Sequence, residues 1–508
     1  MKKSKKFFSL LTAATLITSI GSMSVNAFEY AENYEYSDNI TVNHIYVKSG
    51  DNTPVVDSGK CGDNVYYELH ESGTLYINGT GAMSTEYNNT PFFKNELIKA
   101  VYVEKGVTSI GNSAFYGCVN MQSITLPSSV ELIDWGAFYN CSGLVTVNMS
   151  EGLKTIGMYA FYQCSALNGV TIPKSIAELN DYAFYGCESL TEIIIPDSIT
   201  SISQGMLELC KSLEKVTIPK NVTSIGKYAF AYCDSLKEIA IPDKVTAIGE
   251  QAFKDCKSLS GEITIPNGIT TIDKSLFEGC EKLKGVTLPD AVTTVEESAF
   301  SGCNSLTKID IPDSVEFIKS SAFKDCIKLK QVNIGSGVIM LSSDAFSGCK
   351  NLKTIVLPEK VSTIGIRCFY NCENLKAIEI PKGISNINDS AFENCTGLSD
   401  VYYTGDESKW AITYIENNNE CLKNAVIHYE SHMPEMTDDY VDIYGDVNVD
   451  GKITAKDALM VQRYSIKLAE LSDDQLKAAD VDLDGKVTAK DALYILRCSI
   501  NQAVLPIE

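Results

Sequence analysis

Apolar positions recur with a fixed period through residues 101–403 of this 508-residue chain. The most regular element is a phenylalanine followed three positions later by a cysteine, and it returns at steps of 23 residues. One step is 24 residues long, where Ser260 and Gly261 lengthen the approach to Ile263. A fixed period of this length predicts a solenoid of stacked repeats. The element occurs 12 times, and Leu207/Cys210 fills the one gap to make 13 repeats. The 12 copies are Phe115/Cys118, Phe138/Cys141, Phe161/Cys164, Phe184/Cys187, Phe230/Cys233, Phe253/Cys256, Phe277/Cys280, Phe300/Cys303, Phe323/Cys326, Phe346/Cys349, Phe369/Cys372 and Phe392/Cys395.

The hydrophobic period changes within each repeat, and this change locates the local structure. In the sixth repeat, residues 222–225 enter the unit, and Phe230 and Cys233 are expected on a short helical turn. The alternation of residues 239–241 predicts a short strand with one buried face. We therefore expect short strands plus short helical turns, with a left-handed residue before many of the cysteines. Those residues are Gly117, Asn140, Gly186, Asp255 and Asn394.

The cysteines follow the repeat rather than a disulfide framework. Of the 17 cysteines, 13 occupy one repeat position and would form a ladder inside the solenoid. A cysteine there behaves as a small apolar residue, and an odd number cannot pair completely. We expect thiols along the ladder, while the redox states of Cys61, Cys421 and Cys498 stay open.

The net charge limits the expected partners, and the N-terminal segment predicts the location of the protein. There are 65 acidic and 43 basic residues, a net charge of -22, so nucleic acid and anionic membranes are not expected partners. Residues 1–27 have a basic start, an apolar stretch and a small-residue exit, which predicts a secretory signal peptide. No later segment is long and apolar enough for a membrane anchor. Residues 28–57 match no pattern and are left unassigned.

Two acidic loops near the C-terminus predict calcium binding. Calcium prefers six or seven oxygen ligands, with a glycine turn that wraps the chain around the ion. Each loop has oxygen-bearing side chains at positions 1, 3, 5, 9 and 12 and glycine at position 6, and position 7 would supply its backbone carbonyl. The candidate ligands of two calcium ions are Asp446, Asn448, Asp450, Lys452, Thr454 and Asp457 in the first loop, and Asp480, Asp482, Asp484, Lys486, Thr488 and Asp491 in the second.

The repeat resembles the BspA-like (Treponema-type) leucine-rich repeat of bacterial surface proteins. The resemblance rests on the pattern L-x-x-I-x-I-P-x-x-V-T-x-I-G-x-x-A-F-x-x-C over residues 101–403. Segments beside the array resemble that family's caps, which cover the ends of a solenoid core. The resemblance implies an N-terminal cap at 58–100 and a C-terminal cap at 404–429, followed by a linker at 430–443.

Residues 444–508 resemble a type I dockerin, a small all-α calcium-binding module. Aspartate at loop position 12, and the absence of a helix before the first loop, both differ from an EF-hand sensor. The loop–helix segments 446–468 and 480–502 are identical at 14 of 23 positions. The resemblance implies binding to the cohesin module of a scaffoldin, although Lys456 and Lys490 depart from the Ser/Thr residues common there. The implied contacts are Ala455, Lys456, Gln462, Arg463, Lys467, Ala489, Lys490, Leu496, Arg497 and Asn501.

No segment remains that could house a catalytic domain once these modules are assigned. The four histidines, His44, His70, His428 and His432, lie outside the array and in two distant groups. We therefore expect a secreted, non-catalytic binding or adhesion protein, attached through its dockerin to a cellulosome-like complex that degrades polysaccharides. The solenoid would recognise a protein, glycan or cell-surface ligand. The alternatives are a structural or regulatory component of the complex, or a glycoside hydrolase accessory.

Aromatic residues concentrate in the first repeats and suggest a ligand surface. The residue after the phenylalanine is tyrosine in repeats one to four, whereas repeats seven to 11 have lysine, glutamate or serine there. Stacking would align these tyrosines at about 5 Å intervals, with flat apolar faces and hydroxyl tips exposed. The alternative is that they merely cover the outer wall. The candidate ligand strip is Tyr116, Tyr139, Tyr162 and Tyr185, with Trp135, Tyr159, Tyr182, Tyr228 and Tyr232 nearby.

Overall fold

The structure is a computed structural model that describes residues 51–85, 90–434, 447, 453–471, 473–481 and 486–499. The expected signal peptide, most of residues 28–57 and most of the linker lie outside these residues. The remaining residues form a leucine-rich-repeat solenoid and a small helical module, which confirms the expected fold class.

One side of the solenoid, here called the long-strand face, is built mostly from strands of two to five residues in parallel register. Parallel pairing follows from the period, because equivalent residues of successive repeats lie side by side. The strands are Val55–Lys60, Val65–His70, Thr74–Gly79, Ala100–Val103, Ser123–Thr125, Thr146–Asn148, Gly169–Val170, Glu192–Ile194, Lys215–Thr217, Gly261–Thr264, Leu283–Thr287, Lys308–Ile311, Gln331–Ile334, Thr354–Val356, Ala377–Ile380, Asp400–Tyr403 and Val426–Tyr429.

A second side, the short-strand face, contains mostly strands of two residues. In these strands the second residue points inward and is buried almost throughout. They are Gly81–Ala82, Val107–Ile110, Leu132–Ile133, Thr155–Ile156, Glu178–Leu179, Ser201–Ile202, Ser224–Ile225, Ala247–Ile248, Thr271–Ile272, Thr294–Val295, Phe317–Ile318, Met340–Leu341, Thr363–Ile364, Asn386–Ile387 and Tyr414–Ile415.

The strand predicted at residues 239–241 does not form. Only an isolated bridge joins Lys215 to Glu238 at this level. The next step along the chain is 24 residues long, and its extra residue lies next to residues 238–241. The pairing of Gly261–Thr264 begins with a bulge at Gly261, whose φ is +93°. We attribute the missing strand to this insertion, because a shifted neighbour removes the ladder partner that a short strand needs.

The third side of the solenoid, here called the turn face, contains the Phe-x-x-Cys element. The short turns predicted here are present as hydrogen-bonded turns, and residues 111–403 contain no α-helix. In the first repeat the amides of Ala114 and Tyr116 donate to carbonyls three residues earlier in the same repeat, whereas those of Ser113 and Phe115 donate to the next repeat. This alternation satisfies the backbone both within and between repeats.

Two left-handed residues in every repeat make the alternation possible. One precedes the cysteine, as predicted, with φ from +54° to +75°. The other lies two positions before the phenylalanine and was not predicted. It has φ from +51° to +59° at Ser113, Gly136, Tyr159, Tyr182, Gly205, Tyr228, Gln251, Ser275, Ser298, Ser321, Asp344, Arg367 and Ser390.

Phenylalanine and cysteine ladders form the core behind this face. Neighbouring phenylalanine rings stack with centroids 5.0–5.7 Å apart from Phe92 to Phe184, and again from Phe230 to Phe392. Leu207 interrupts the stack but remains fully buried. Each ladder cysteine donates its thiol to a backbone carbonyl of the preceding repeat or cap, as Cys141 does to Phe115 at 2.9 Å. The cysteine therefore links adjacent repeats without a disulfide.

Caps close both ends of this core. At the N-terminal end, Val55–Lys60, Val65–His70 and Thr74–Gly79 pair antiparallel, and Phe92 begins the ring stack. At the C-terminal end lie the helices Glu407–Trp410 and Glu420–Asn424. The buried side chain of Asn419 accepts a hydrogen bond from the Phe392 amide at 2.9 Å. That amide would otherwise need the carbonyl of a further repeat.

The C-terminal module contains helices Ala455–Ser465, Asp473–Ala479 and Ala489–Ser499. Its core repeats at an offset of 34 residues, in keeping with the internal duplication. Its core cluster contains the buried residues Val447, Ala458, Val461, Ala479, Val481, Ala492 and Ile495.

Candidate functional site

The structure describes the C-terminal part of each predicted calcium loop. Thr454 and Asp457 form a capping box at the start of the first long helix. The Asp457 carboxylate accepts from the Thr454 amide at 2.9 Å and its hydroxyl at 3.0 Å. Thr488 and Asp491 repeat this geometry at 2.9 and 3.0 Å. The candidate ligands Asp446, Asn448, Asp450, Lys452, Asp482 and Asp484 lie outside the described residues.

These carboxylates have the chemistry that a calcium site needs. Asp457 and Asp491 are both fully buried, although burial of a carboxylate is costly unless a positive charge or several donors offset it. Each carboxylate oxygen has two acceptor sites, so capping of the helix leaves capacity for a cation. Asp480, Lys486 and Thr488 are described nearby in the second loop. No group of three or more potential metal-binding side chains occurs within the described part of the chain.

The residues implied to bind cohesin lie on exposed surfaces of the two long helices. Ala455, Lys456, Gln462, Arg463 and Lys467 are all exposed. In the second copy Ala489, Lys490, Leu496 and Arg497 are exposed, whereas Asn501 lies outside the described residues.

Two apolar residues on the same surfaces were missed in the sequence. Leu459 and Leu493 are 46% and 47% exposed, and they occupy equivalent positions in the two helices. Their spacing gave a usable signal, because each lies three residues after Lys456 or Lys490 and so shares its helix face.

The candidate ligand strip is stacked as predicted, but it does not present flat ring faces. Centroids of Tyr116, Tyr139, Tyr162 and Tyr185 are 4.9, 4.4 and 4.3 Å apart in turn, with interplanar angles of 2–16°. Each ring covers its neighbour, and all four side chains are half-buried. The prediction of exposed flat faces is therefore wrong, and the strip offers solvent its ring edges and hydroxyls instead.

A second aromatic column lies against the strip. Tyr159 and Tyr182 stack on each other at 5.2 Å, and Trp135 meets Tyr159 edge-to-face at 5.6 Å. Tyr159 also contacts the strip at Tyr162, with centroids 5.5 Å apart. The Tyr182 ring lies over Gly205, where an added Cβ would be 2.2 Å from it. Glycine is therefore required at residue 205 for this ring position, whereas its φ of +57° is also adopted by non-glycine residues in other repeats.

Burial within this cluster raises the pKa values of several of its tyrosines and of Glu208. Desolvation, followed by interactions with neighbouring hydroxyls, raises the pKa of Tyr139 and Tyr162 to about 12. Glu208 occupies the strip's repeat position in the fifth repeat, and desolvation raises its pKa to about 7. The aromatic cluster thus ends at a carboxyl that gains a proton near neutral pH.

The ladder cysteines are chemically protected. Every cysteine of the ladder is a free thiol, which confirms the prediction. Desolvation raises their pKa, for example in Cys118 to about 12. Because the thiolate is the reactive form, these residues are expected to resist alkylation in the native protein.

The described histidines form no common site. Nδ1 of His70 is 2.9 Å from the Thr53 carbonyl in the N-terminal cap. His428 pairs with Asp400 at 2.8 Å, and His432 pairs with Glu379 at 2.9 Å. His44 lies outside the described residues.

A separate cavity of about 810 Å³ opens on the long-strand face. It lies where the strand ladder is interrupted between Gly169–Val170 and Glu192–Ile194. Its walls mix apolar residues such as Ile194 with polar residues such as Asn148 and Lys174.

The comparisons with known proteins agree with these two modules. The model of the BspA type leucine-rich repeat region matches residues 87–214, 200–330 and 293–421. The matches span more than half of the chain, and the chain belongs to this family. Residues 444–497 match the dockerin type I domain, so the C-terminal module is a type I dockerin.

Solved leucine-rich-repeat structures resemble the solenoid. A leucine-rich repeat protein from Bacteroides ovatus is 26% identical, with a TM-score of 0.53, over 72% of this chain and 98% of that one. A leucine rich cell surface protein from Faecalibacterium prausnitzii is 29% identical, with a TM-score of 0.42, over 69% of this chain and 96% of its own. No curated protein matches the chain.

Proposed function

We propose that this protein is a secreted binding component that a calcium-dependent dockerin attaches to the cohesin of a cellulosome-like complex. The observation that carries the proposal is the joining of a leucine-rich-repeat solenoid to a type I dockerin, both non-catalytic types of module. Such modules are typical of extracellular proteins, and residues 1–27 would serve as the signal peptide. No helix in the described ranges is long and apolar enough to cross a membrane.

Two calcium ions would hold the dockerin loops, with Asp446, Asn448, Asp450, Thr454 and Asp457 in the first loop and their counterparts in the second. The carbonyls of Lys452 and Lys486 would complete the two sets. The buried carboxylates of Asp457 and Asp491 support this assignment, since a cation would compensate their charge. The chain's own contribution is to fix these oxygens at the starts of two helices.

Cohesin would bind the exposed helix surfaces around Lys456 and Lys490. Because the two segments are nearly identical, each surface could dock in turn, in orientations related by the internal duplication. The test is cohesin binding by calorimetry for Lys456→Glu, Lys490→Glu and the double variant. We expect little weakening from either single change and loss of binding from the double change. Complete loss from one single change would show that only one surface is used.

The solenoid would carry the recognition function, with the strip of Tyr116, Tyr139, Tyr162 and Tyr185 as part of its ligand surface. Its support is the continuous tyrosine stack of the first four repeats, which begins on Phe93 of the N-terminal cap. The test is retention of the full chain on protein, polysaccharide and cell-wall surfaces after Tyr139, Tyr162 and Tyr185 are replaced together by serine. Weaker retention supports the proposal, and unchanged retention on every surface that binds the wild type contradicts it.

A structural or regulatory role in the complex is the second candidate. The long, continuously packed array favours it, because such an array can act as a spacer without any ligand. A solenoid that retains no ligand while cohesin binding persists would favour this second role.

A further inference from the structure

The aromatic column beside the strip contains strained residues. Tyr159 and Tyr182 have φ of +59° and +56°, a conformation that bulky residues rarely adopt. Serine occupies the same position at Ser275, Ser298 and Ser321, so the repeat does not require tyrosine. The position also holds Tyr228, Gln251 and Arg367, so backbone strain alone assigns no role to Tyr159 and Tyr182.

Ring stacking and a hydrogen bond hold the aromatic surface in place without a ligand. We define the aromatic wall as Trp135, Tyr159 and Tyr182 together with the strip. Gln204 donates to the Tyr182 hydroxyl at 2.5 Å, and ring stacking holds the remaining tyrosines. Rigid tyrosines lose little conformational entropy on binding, which favours recognition of another polypeptide. Their covered ring faces leave little room for a sugar ring to stack.

Within the repeats, the charged side chains of the wall are all acidic. The turn segments of repeats one to five (111–118, 134–141, 157–164, 180–187 and 203–210) contain three carboxylates and no lysine or arginine. The carboxyl groups are those of Asp134, Asp181 and Glu208, and burial raises the pKa of Glu208 to about 7, so its charge is complete only at alkaline pH. The lysine at the N-terminal end of the wall, Lys94, places its Nζ 5.3 Å from the Phe93 centroid and 6.0 Å from that of Tyr116. A lysine ammonium is thus already accommodated against this stack.

We propose that the aromatic wall docks a basic segment of a partner polypeptide, with lysine or arginine ammonium and guanidinium groups facing the carboxylates and tyrosine hydroxyls. This inference rests on the proposed recognition function of the solenoid and names its partner chemistry. Charge complementarity sets the preference for a basic segment, and the preformed wall supplies the contact area.

The test follows Trp135 fluorescence in the full chain carrying Trp410→Phe, because Trp135 and Trp410 are the two tryptophans. The probes are short peptides in which lysine or arginine alternates with leucine and glycine, and a neutral peptide with glutamine at the basic positions. We expect a saturable signal with the basic peptides that weakens as salt is added. The neutral peptide should give none.

Matched variants locate the binding. Tyr159→Ser with Tyr182→Ser should weaken binding about tenfold, and it should fold because serine occurs at this position in other repeats. Glu208→Gln should weaken it by a smaller factor. Tyr370→Ser is the control, since Tyr370 has the strip's repeat position in repeat 12, outside the wall.

The possible results of these binding measurements distinguish the basic-segment proposal from its alternatives. No response to the basic peptides, equal binding of the neutral peptide, or equal loss from Tyr370→Ser would overturn it. Retention on neutral polysaccharide alone would also overturn it, yet leave the recognition function standing. Failure of cohesin binding, measured separately on the same chain, would instead count against the proposed function.

Discussion

The solenoid and the dockerin are both built by duplication, but they solve the problem of burial differently. Each solenoid repeat buries a phenylalanine, or Leu207 in repeat five, and a cysteine against its neighbours, so the core grows with every copy. The dockerin has two copies, and among its described residues the buried core holds alanines, valines and one isoleucine, with larger side chains such as Met460 and Tyr494 only partly buried against it. A core of that size is marginal without further support. From this comparison we expect the dockerin to need a cation, whereas packing alone should stabilise the solenoid.

The largest effect is expected where the dockerin loses its cations. Asp450→Ala together with Asp484→Ala should abolish cohesin binding, because each change removes a candidate calcium ligand. Without the ion, the remaining ligand carboxylates repel each other. The thermal unfolding of the solenoid should stay unchanged in the same variant. Calorimetric titration with cohesin, beside a thermal scan, checks both results, and undiminished cohesin binding would break the comparison.

A core substitution should affect the solenoid in the opposite way. Phe161→Ala removes one ring from the stack and should lower the free energy of unfolding by about 3–5 kcal/mol, with calcium-dependent cohesin binding intact. The control is Phe161→Leu with Ala160→Met, which copies Leu207 and Met206 of repeat five and should cost less than about 1.5 kcal/mol. Denaturant unfolding measures both. Equal losses would contradict this expectation, because they would show that restoring the buried volume does not replace the stacked ring.

Two glycines in one repeat column separate backbone strain from packing. Gly136 and Gly205 have φ of +54° and +57°. A Cβ at Gly136 meets nothing closer than 3.6 Å, whereas one at Gly205 would be 2.2 Å from the Tyr182 ring. Gly136→Ala should cost about 1–2 kcal/mol, and Gly205→Ala about 2–4 kcal/mol with displacement of the aromatic wall. Similar costs in denaturant unfolding would contradict the observed position of Tyr182.

The smallest expected effect is an opposite response of the two modules to pH. Burial raises the pKa of Glu208 from 4.5 to about 7, so its protonated form favours the folded solenoid. This contribution is complete below pH 4.5 and is lost as the pH rises through about 7. Glu208→Gln should therefore raise the solenoid's melting temperature more at pH 8 than at pH 5. Cohesin binding should weaken towards low pH, as the calcium ligands gain protons. A pH-independent effect of Glu208→Gln would contradict the burial of this carboxyl.

The sequence pattern predicted the features that depend on strict periodicity. The Phe-x-x-Cys spacing predicted the stacked array and the thiol ladder, and glycine or asparagine marked the left-handed residue before cysteine. The left-handed residue two positions before the phenylalanine was not predicted, because serine and tyrosine do not indicate this conformation. The role of Asn419 was not predicted either, because its side chain accepts the hydrogen bond that a carbonyl of a further repeat would accept. The strip's spacing was predicted, but its covered ring faces depend on side-chain orientation, which spacing alone does not determine.

Hydrogen exchange of the full chain, with and without calcium and cohesin, tests the central claim most directly. We predict that helices Ala455–Ser465 and Ala489–Ser499 exchange rapidly after chelation, gain protection with calcium, and gain more when cohesin is added. The solenoid strands and turn face should keep the same protection in all three states. Helices that stay protected without calcium, or a solenoid that loses protection with them, would contradict a metal-dependent attachment module joined to a metal-independent binding array.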